Sequence, residues 1–335
     1  MTQPEFRAEA RPKRYPPPEF PPRRPALFAR MPPAVFPSIL GLLGLALAVR
    51  LALGRLGRDP GPGDLLAGVA VALWAFAAFA YGMKLVRRPG VVVEELRTLP
   101  GRSGLAASTM GGMVAAGLVA AYSIPAAAVL LVLALVCHGV LAILLLRLLL
   151  GLPPEARAVN PTLHLSLVGI IVGAAPALAV GWGWLAEALF WVALPIAAAI
   201  WALSLRQFLA AAPPAPLRPL LAIHLAPAAL LGSVAGLLAK PELGFVFAGL
   251  GVVYAILLVV AGRWLLAAGV SAFWGAFTFP LAALATALMV NGGVWFWPGV
   301  LLTALVLVVI PLITWWVLKR WPGGRLAAAT NAAEA

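Results

Sequence analysis

Charge is scarce in this sequence: only 10% of its 335 residues are Asp, Glu, Lys or Arg, where a soluble domain carries about a quarter. Cysteine is nearly absent. The single Cys137 excludes a disulfide within one chain and a thiolate metal site. Acidic residues are few, 11 against 24 basic ones, and there are three histidines. No HExxH, histidine-rich or paired-carboxylate constellation occurs. The expectation is therefore no metal, no cofactor, no catalytic residue and no enzyme.

What fills the chain is apolar: 63% of residues are hydrophobic. A soluble fold of this length cannot hide so much apolar surface, whereas a bilayer accepts it directly on outward-facing helices. The net charge of +13 does not mark a nucleic-acid binder. Lys and Arg sit in tails and loops, and no basic face with interleaved aromatics is present. Lipid, not nucleic acid, is the expected partner. Residues 1–32, with PPPEFPPRRP at 16–25, lack an apolar core and a small-residue cleavage site. They read as a disordered cytoplasmic tail and not as a signal peptide. Docking of a partner on the proline-rich stretch is the other use of such a composition.

A helix needs about 20 apolar residues to cross the hydrocarbon. Runs of that kind, broken by Pro, Gly and charge, number ten: 35–53, 65–86, 104–123, 126–150, 162–182, 184–208, 220–239, 243–264, 271–290 and 295–318. They make residues 33–320 an all-α transmembrane domain and leave 321–335 as a C-terminal tail. With the N-terminus inside, only Arg50, Arg55, Arg58 and Lys240 of the 24 basic residues fall outside. The positive-inside bias then puts both ends in the cytoplasm, and the protein in the bacterial inner (plasma) membrane.

The spans pair as five up–down hairpins, and their two sets differ. Odd spans hold Ser38, Ser108, Thr109, Ser123, Thr162, Ser166, Ser233, Ser271, Thr278 and Thr286, whereas even spans hold only Ser204, Thr303 and Thr314. Most span tryptophans, among them Trp74, Trp191, Trp201 and Trp315, lie on even spans. A hydroxyl in hydrocarbon must find a partner, while large rings suit lipid and its interface. The simplest arrangement is an inner ring of odd helices around a central pore, with even helices outside. Small polar residues equally mark plain helix–helix packing with no pore. Pro176, Pro227 and Pro280 fall inside odd spans, where each removes a backbone hydrogen bond that neighbours or water must replace. Pro37 reads as a first-turn proline.

Five segments carry a family resemblance: FPSILGLLGLALAVR (36–50), AYGMKL (80–85), NPTLHLSLVG (160–169), HLAPA (224–228) and FWGAFTFPLAALATA (273–287). In this order, from about 33 to 318, the chain resembles the tellurite-resistance/dicarboxylate-transporter family, which includes the plant slow-type anion channels. The resemblance implies five hairpins, an anion pathway through each protomer lined by odd helices, and a homotrimer. Its pore-occluding phenylalanine falls on Phe279, the second aromatic of F-x-F. Two departures lie near that gate: Pro37 and Pro280 stand where relatives have Gly.

The implied pore-lining candidates are Phe36, Pro37, Ser38, Ser108, Thr109, Ser166, Pro176, Pro227, Ser233, Phe277, Thr278 and Pro280. His164 and His224 are candidates for the cytoplasmic mouth, either as a pH-sensitive charge or as neutral imidazoles bonded to nearby backbone. No ring of Arg or Lys lines the odd spans. Anions are still compatible, because conduction needs weak sites and helix N-termini supply partial positive charge. The function expected is an anion channel gated by an apolar constriction. The alternative is a proton-coupled carrier or exporter of small organic acids or oxyanions such as dicarboxylate, sulfite or tellurite. No Asp or Glu lies mid-span, which favours the channel.

Overall fold

The computed structural model describes residues 26–153, 157 and 159–335. Most of the expected N-terminal tail lies outside the described residues. Among those described, all regular structure is helical. In chain order come α1 (Pro33–Arg55), α2 (Gly61–Arg87), α3 (Val91–Arg97), α4 (Leu99–Val119) and α5 (Ile124–Leu150). Then follow α6 (His164–Ala179), α7 (Gly183–Ala210), α8 (Ala215–Leu237), α9 (Pro241–Val260) and α10 (Gly262–Leu265). The last three are α11 (Ala272–Asn291), α12 (Gly293–Leu318) and α13 (Arg325–Ala329).

Among the described residues, 8 helices are long and apolar enough to cross a membrane: α1, α2, α5, α7, α8, α9, α11 and α12. The third and fifth expected spans meet α4 and α6 instead. α6 is shorter than the about 20 residues of a regular crossing. α4 has the length but is diluted by Arg102 and by its Ser, Thr and Gly residues. It also starts at Leu99 and not at 104. Thr98 Oγ1 accepts from Gly101 N (3.1 Å) and Pro100 stands in the first turn, a start signal that an apolar run does not report.

Burial separates the crossing helices into two sets. In α1, α8 and α11, 72%, 72% and 61% of the most apolar stretch is buried, against 28%, 22%, 28%, 17% and 28% in α2, α5, α7, α9 and α12. α1 packs against both α4 and α11; α11 packs against α8; α4 and α8 both meet α6. Each of these carries a more exposed neighbour: α2 on α1, α5 on α4, α7 on α6, α9 on α8 and α12 on α11. Small residues bring the buried backbones together, as lipid offers no hydrophobic drive between helices. A Cβ at Gly41 would overlap Thr278, and one at Gly104 would overlap the Pro33 carbonyl.

Four of the buried helices change character along their length, α1 only in its first turn, which is 3-10 from Pro33 to Val35. α6 opens with a π turn (His164–Val168) and a 3-10 turn (Gly169–Gly173) before its regular segment from Ala174. α8 is 3-10 from Ala215 to His224 and regular from Leu225; α11 is 3-10 from Ala272 to Phe277 and regular from Thr278. Pro176, Pro227 and Pro280 each occupy the third position of the regular segment. They therefore begin α segments and do not interrupt them, because first-turn N–H groups have no partner within the segment. Pro37 follows the same rule in α1.

The basic ends of the helices are tied together by the chain termini. Lys84 Nζ pairs with Glu95 Oε1 (2.6 Å) and donates to Met31 O (2.9 Å), and both side chains are essentially inaccessible. Ala333 N donates to the same Glu95 oxygen (3.1 Å), Ala335 N to Ala29 O (3.1 Å), and Arg30 pairs with Glu334 (2.7 Å). Leu326 and Ala327 of α13 are buried in this contact. The described part of the two expected tails is thus packed onto the bundle.

Candidate functional site: a cavity shared by five helices

A cavity of about 260 Å³ lies where α1, α4, α6, α8 and α11 meet. Gly44, Leu47 and Leu51 come from α1, Val114 and Gly117 from α4, and Ile171, Val172, Ala175, Pro176 and Ala179 from α6. α8 gives Leu230, Ser233, Val234 and Leu237; α11 gives Phe279, Ala283, Thr286 and Val290. Each set recurs at three- or four-residue intervals, so one face of each helix is presented. No lining side chain is charged. A second hollow of about 20 Å³ lies at the N-terminal ends of the same five helices, among Pro37, Ser103, Leu165, Ile223 and Phe273.

Phe279 is 5% exposed and lines the large cavity. Its ring rests on Gly44, where an added Cβ would stand 3.0 Å from ring carbon Cδ2. Beneath it, the Thr278 hydroxyl is shared between Gly275 O of its own helix (2.7 Å) and Pro37 O at the start of α1 (3.0 Å). A glycine facing the ring and a hydrogen-bonded threonine behind it hold Phe279 at the cavity wall.

Of the residues singled out in the sequence, Phe279, Pro176 and Ser233 line this cavity, and Pro37 lines the small one. Phe36, Ser108 and Thr109 line a different hollow between α2, α4 and α5. Ser38 is buried and donates to Val35 O (2.9 Å); Ser166 is buried and reaches Thr162 O (3.5 Å) within the π turn. Thr278 and Pro280 are buried between helices, and Phe277 is half-buried against Trp274. Pro227 lines a hollow of about 10 Å³ beside His164.

His164 and His224 are brought together, with Nε2 of the first 3.0 Å from Nδ1 of the second. Both are buried, and Trp201 donates to His224 O (3.2 Å). Each imidazole is thus the other's partner, where the sequence offered either a charge at a mouth or a bond to backbone. The third histidine, His138, is buried with Nδ1 at 2.8 Å from Thr109 Oγ1. Sequence reasoning missed most of the wall, which is aliphatic. Its signal was the helical period running from Phe279 through Ala283 and Thr286 to Val290.

A family described as "SLAC1: Voltage-dependent anion channel" matches residues 30–319. The chain belongs to the SLAC1 family. No curated protein sequence matches it closely. The matched stretch contains every helix from α1 to α12, and so every residue of both hollows along the five-helix axis. The protein is a multi-pass membrane protein of a SLAC1 family whose members move anions. The apolar wall around Phe279 is to be read in that light.

Proposed function

We propose that the protein is an anion channel whose pathway in each protomer runs through the five-helix cavity and is closed by Phe279. The observation that carries this reading is the uncharged cavity built from one face of each of five helices, with an aromatic ring at the end toward the smaller hollow. The contacts that run from α1 through α4, α6, α8 and α11 back to α1 support five hairpins with the odd spans innermost. An apolar constriction of this kind gates by staying dry, and the absence of a fixed charge lets an anion leave as readily as it enters.

The charge asymmetry supports an orientation with both termini in the cytoplasm, in a bacterial inner membrane. By family likeness the protein assembles as a homotrimer. The domain limits follow the same reading, with the channel over 33–320. One observation favours a proton-coupled carrier instead: the hydrogen-bonded His164–His224 pair inside the bundle. Intramembrane imidazoles can relay protons. The pair lies off the large cavity, however, and no acidic side chain lines that cavity.

Electrical recording on purified protein in planar bilayers separates the two. A channel gives chloride current reversing at the chloride equilibrium potential, about 59 mV for each tenfold gradient. Electroneutral uptake that saturates and follows an imposed pH gradient, with no such current, would replace the channel by the carrier.

A further inference from the structure

A second and larger hollow, of about 590 Å³, lies off the five-helix axis as a groove between α2 and α5, floored by α4. Trp74 closes one end, its Nε1 donating to Ser108 O (2.8 Å). From Trp74 to Leu85 the lining follows α2 for ~16 Å, about half the ~30 Å thickness of the hydrocarbon. The α5 wall is open to the side: Val136 and Val140 are exposed, and so is Cys137.

Two hydroxyls break this apolar wall, Ser108 and Thr109, and each is already bonded within α4, at Leu105 O (2.8 Å) and Ala106 O (2.9 Å). Tyr81 lines the groove as well, but its hydroxyl oxygen is inaccessible. The end away from Trp74 is lined by Pro89 and by Val92 and Val93 of α3, and basic residues stand next to it in sequence, of which Arg87 donates to Leu27 O. Arg87 and Arg88 follow α2's last lining residue, Leu85, and Arg147 lies one turn beyond Leu144 on α5; Arg88 is also paired with Glu94.

We infer that this groove is a binding site for one membrane phospholipid, with an acyl chain along α2 and the phosphate at the basic rim. A second copy of the chain would also suit an apolar face. The groove, however, stops at Trp74 near mid-membrane, the depth reached by the tail of a single leaflet, and its rim carries the charge that a phosphate requires. The inference does not depend on how anions pass.

Gly82 lines the groove, and a Cβ built there meets nothing within 4 Å. Gly82→Trp therefore fills the space without moving backbone. Native mass spectrometry of the full chain in mild detergent should find one phospholipid retained per chain in wild type and none in Gly82→Trp, at unchanged oligomer mass. Independently, Cys137 of the wild-type protein, the sole cysteine, should react with N-ethylmaleimide at least tenfold more slowly once palmitoyl-oleoyl phosphatidylglycerol is added back. Equal retention in both proteins, or labelling indifferent to the added lipid, overturns the site. Loss of oligomer mass in Gly82→Trp with lipid retained assigns the groove to a second copy.

Discussion

Phe279→Ala should raise the chloride conductance of the reconstituted protein at least tenfold while leaving its fold and oligomer mass intact. The ring obstructs by volume and by chemistry. An anion passing a dry apolar wall loses hydration that no side chain there replaces, at a cost of several kcal/mol for an unpaired polar group. Each ~1.4 kcal/mol removed from that barrier is a tenfold gain in rate. The ring already faces a cavity, so its removal leaves less of a void than the same change in a closed core. Phe277→Ala is the internal control: that ring is half-buried beside Trp274 and lines neither hollow on the axis. Single-channel recording of both variants tests the assignment. Equal currents in Phe279→Ala and wild type, or an open pore in Phe277→Ala, would contradict it.

Lys84→Ala should be the most destabilising single change at the basic face. It strips the partner from Glu95, whose side chain is 1% exposed, and removes the hydrogen bond that holds Met31 at the start of α1. Leaving one member of a buried ion pair uncompensated costs about 3–5 kcal/mol, whereas replacing both by apolar groups of similar volume is often neutral. Thermal unfolding in detergent, followed by tryptophan fluorescence, should therefore show a large loss in Lys84→Ala and in Glu95→Ala. The double variant Lys84→Met/Glu95→Leu should recover most of it. A double variant as weak as either single one would mean that the pair contributes through its termini contacts and not through charge compensation.

That ion pair also shows what the sequence conceals. Lys84 near a span end reads as one more loop charge of the positive-inside bias. Its burial depends on Glu95 from α3 and on the backbone of Met31 and Ala333, partners that only the folded chain assembles. The membrane class and most span positions were legible, because a bilayer demands long apolar runs whatever their order. Phe279 was legible only through family likeness, since an aromatic on a buried helix otherwise reads as packing.

The hydroxyls expected to face the pore were harder to read. Ser108 and Thr109 satisfy themselves on carbonyls one turn back, at Leu105 and Ala106, so their presence says nothing about which face meets water. Packing turned that face toward α5 and the groove. The prolines misled in a more instructive way. Read as breaks, they are starts, because the turns before them are 3-10 or π and only then does the α-helix begin.

The central claim, that anions pass through the five-helix cavity, is tested most directly at Thr286, which lines it from α11 one turn beyond Ala283. In a Cys137→Ala/Phe279→Ala chain, opened at the gate and carrying Thr286→Cys, a negatively charged sulfonatoethyl methanethiosulfonate should react and place a bulky anion in the cavity. The chloride current should then fall nearly to baseline and return when dithiothreitol removes the group. Full current after modification proven complete by mass would show that the anions take another path.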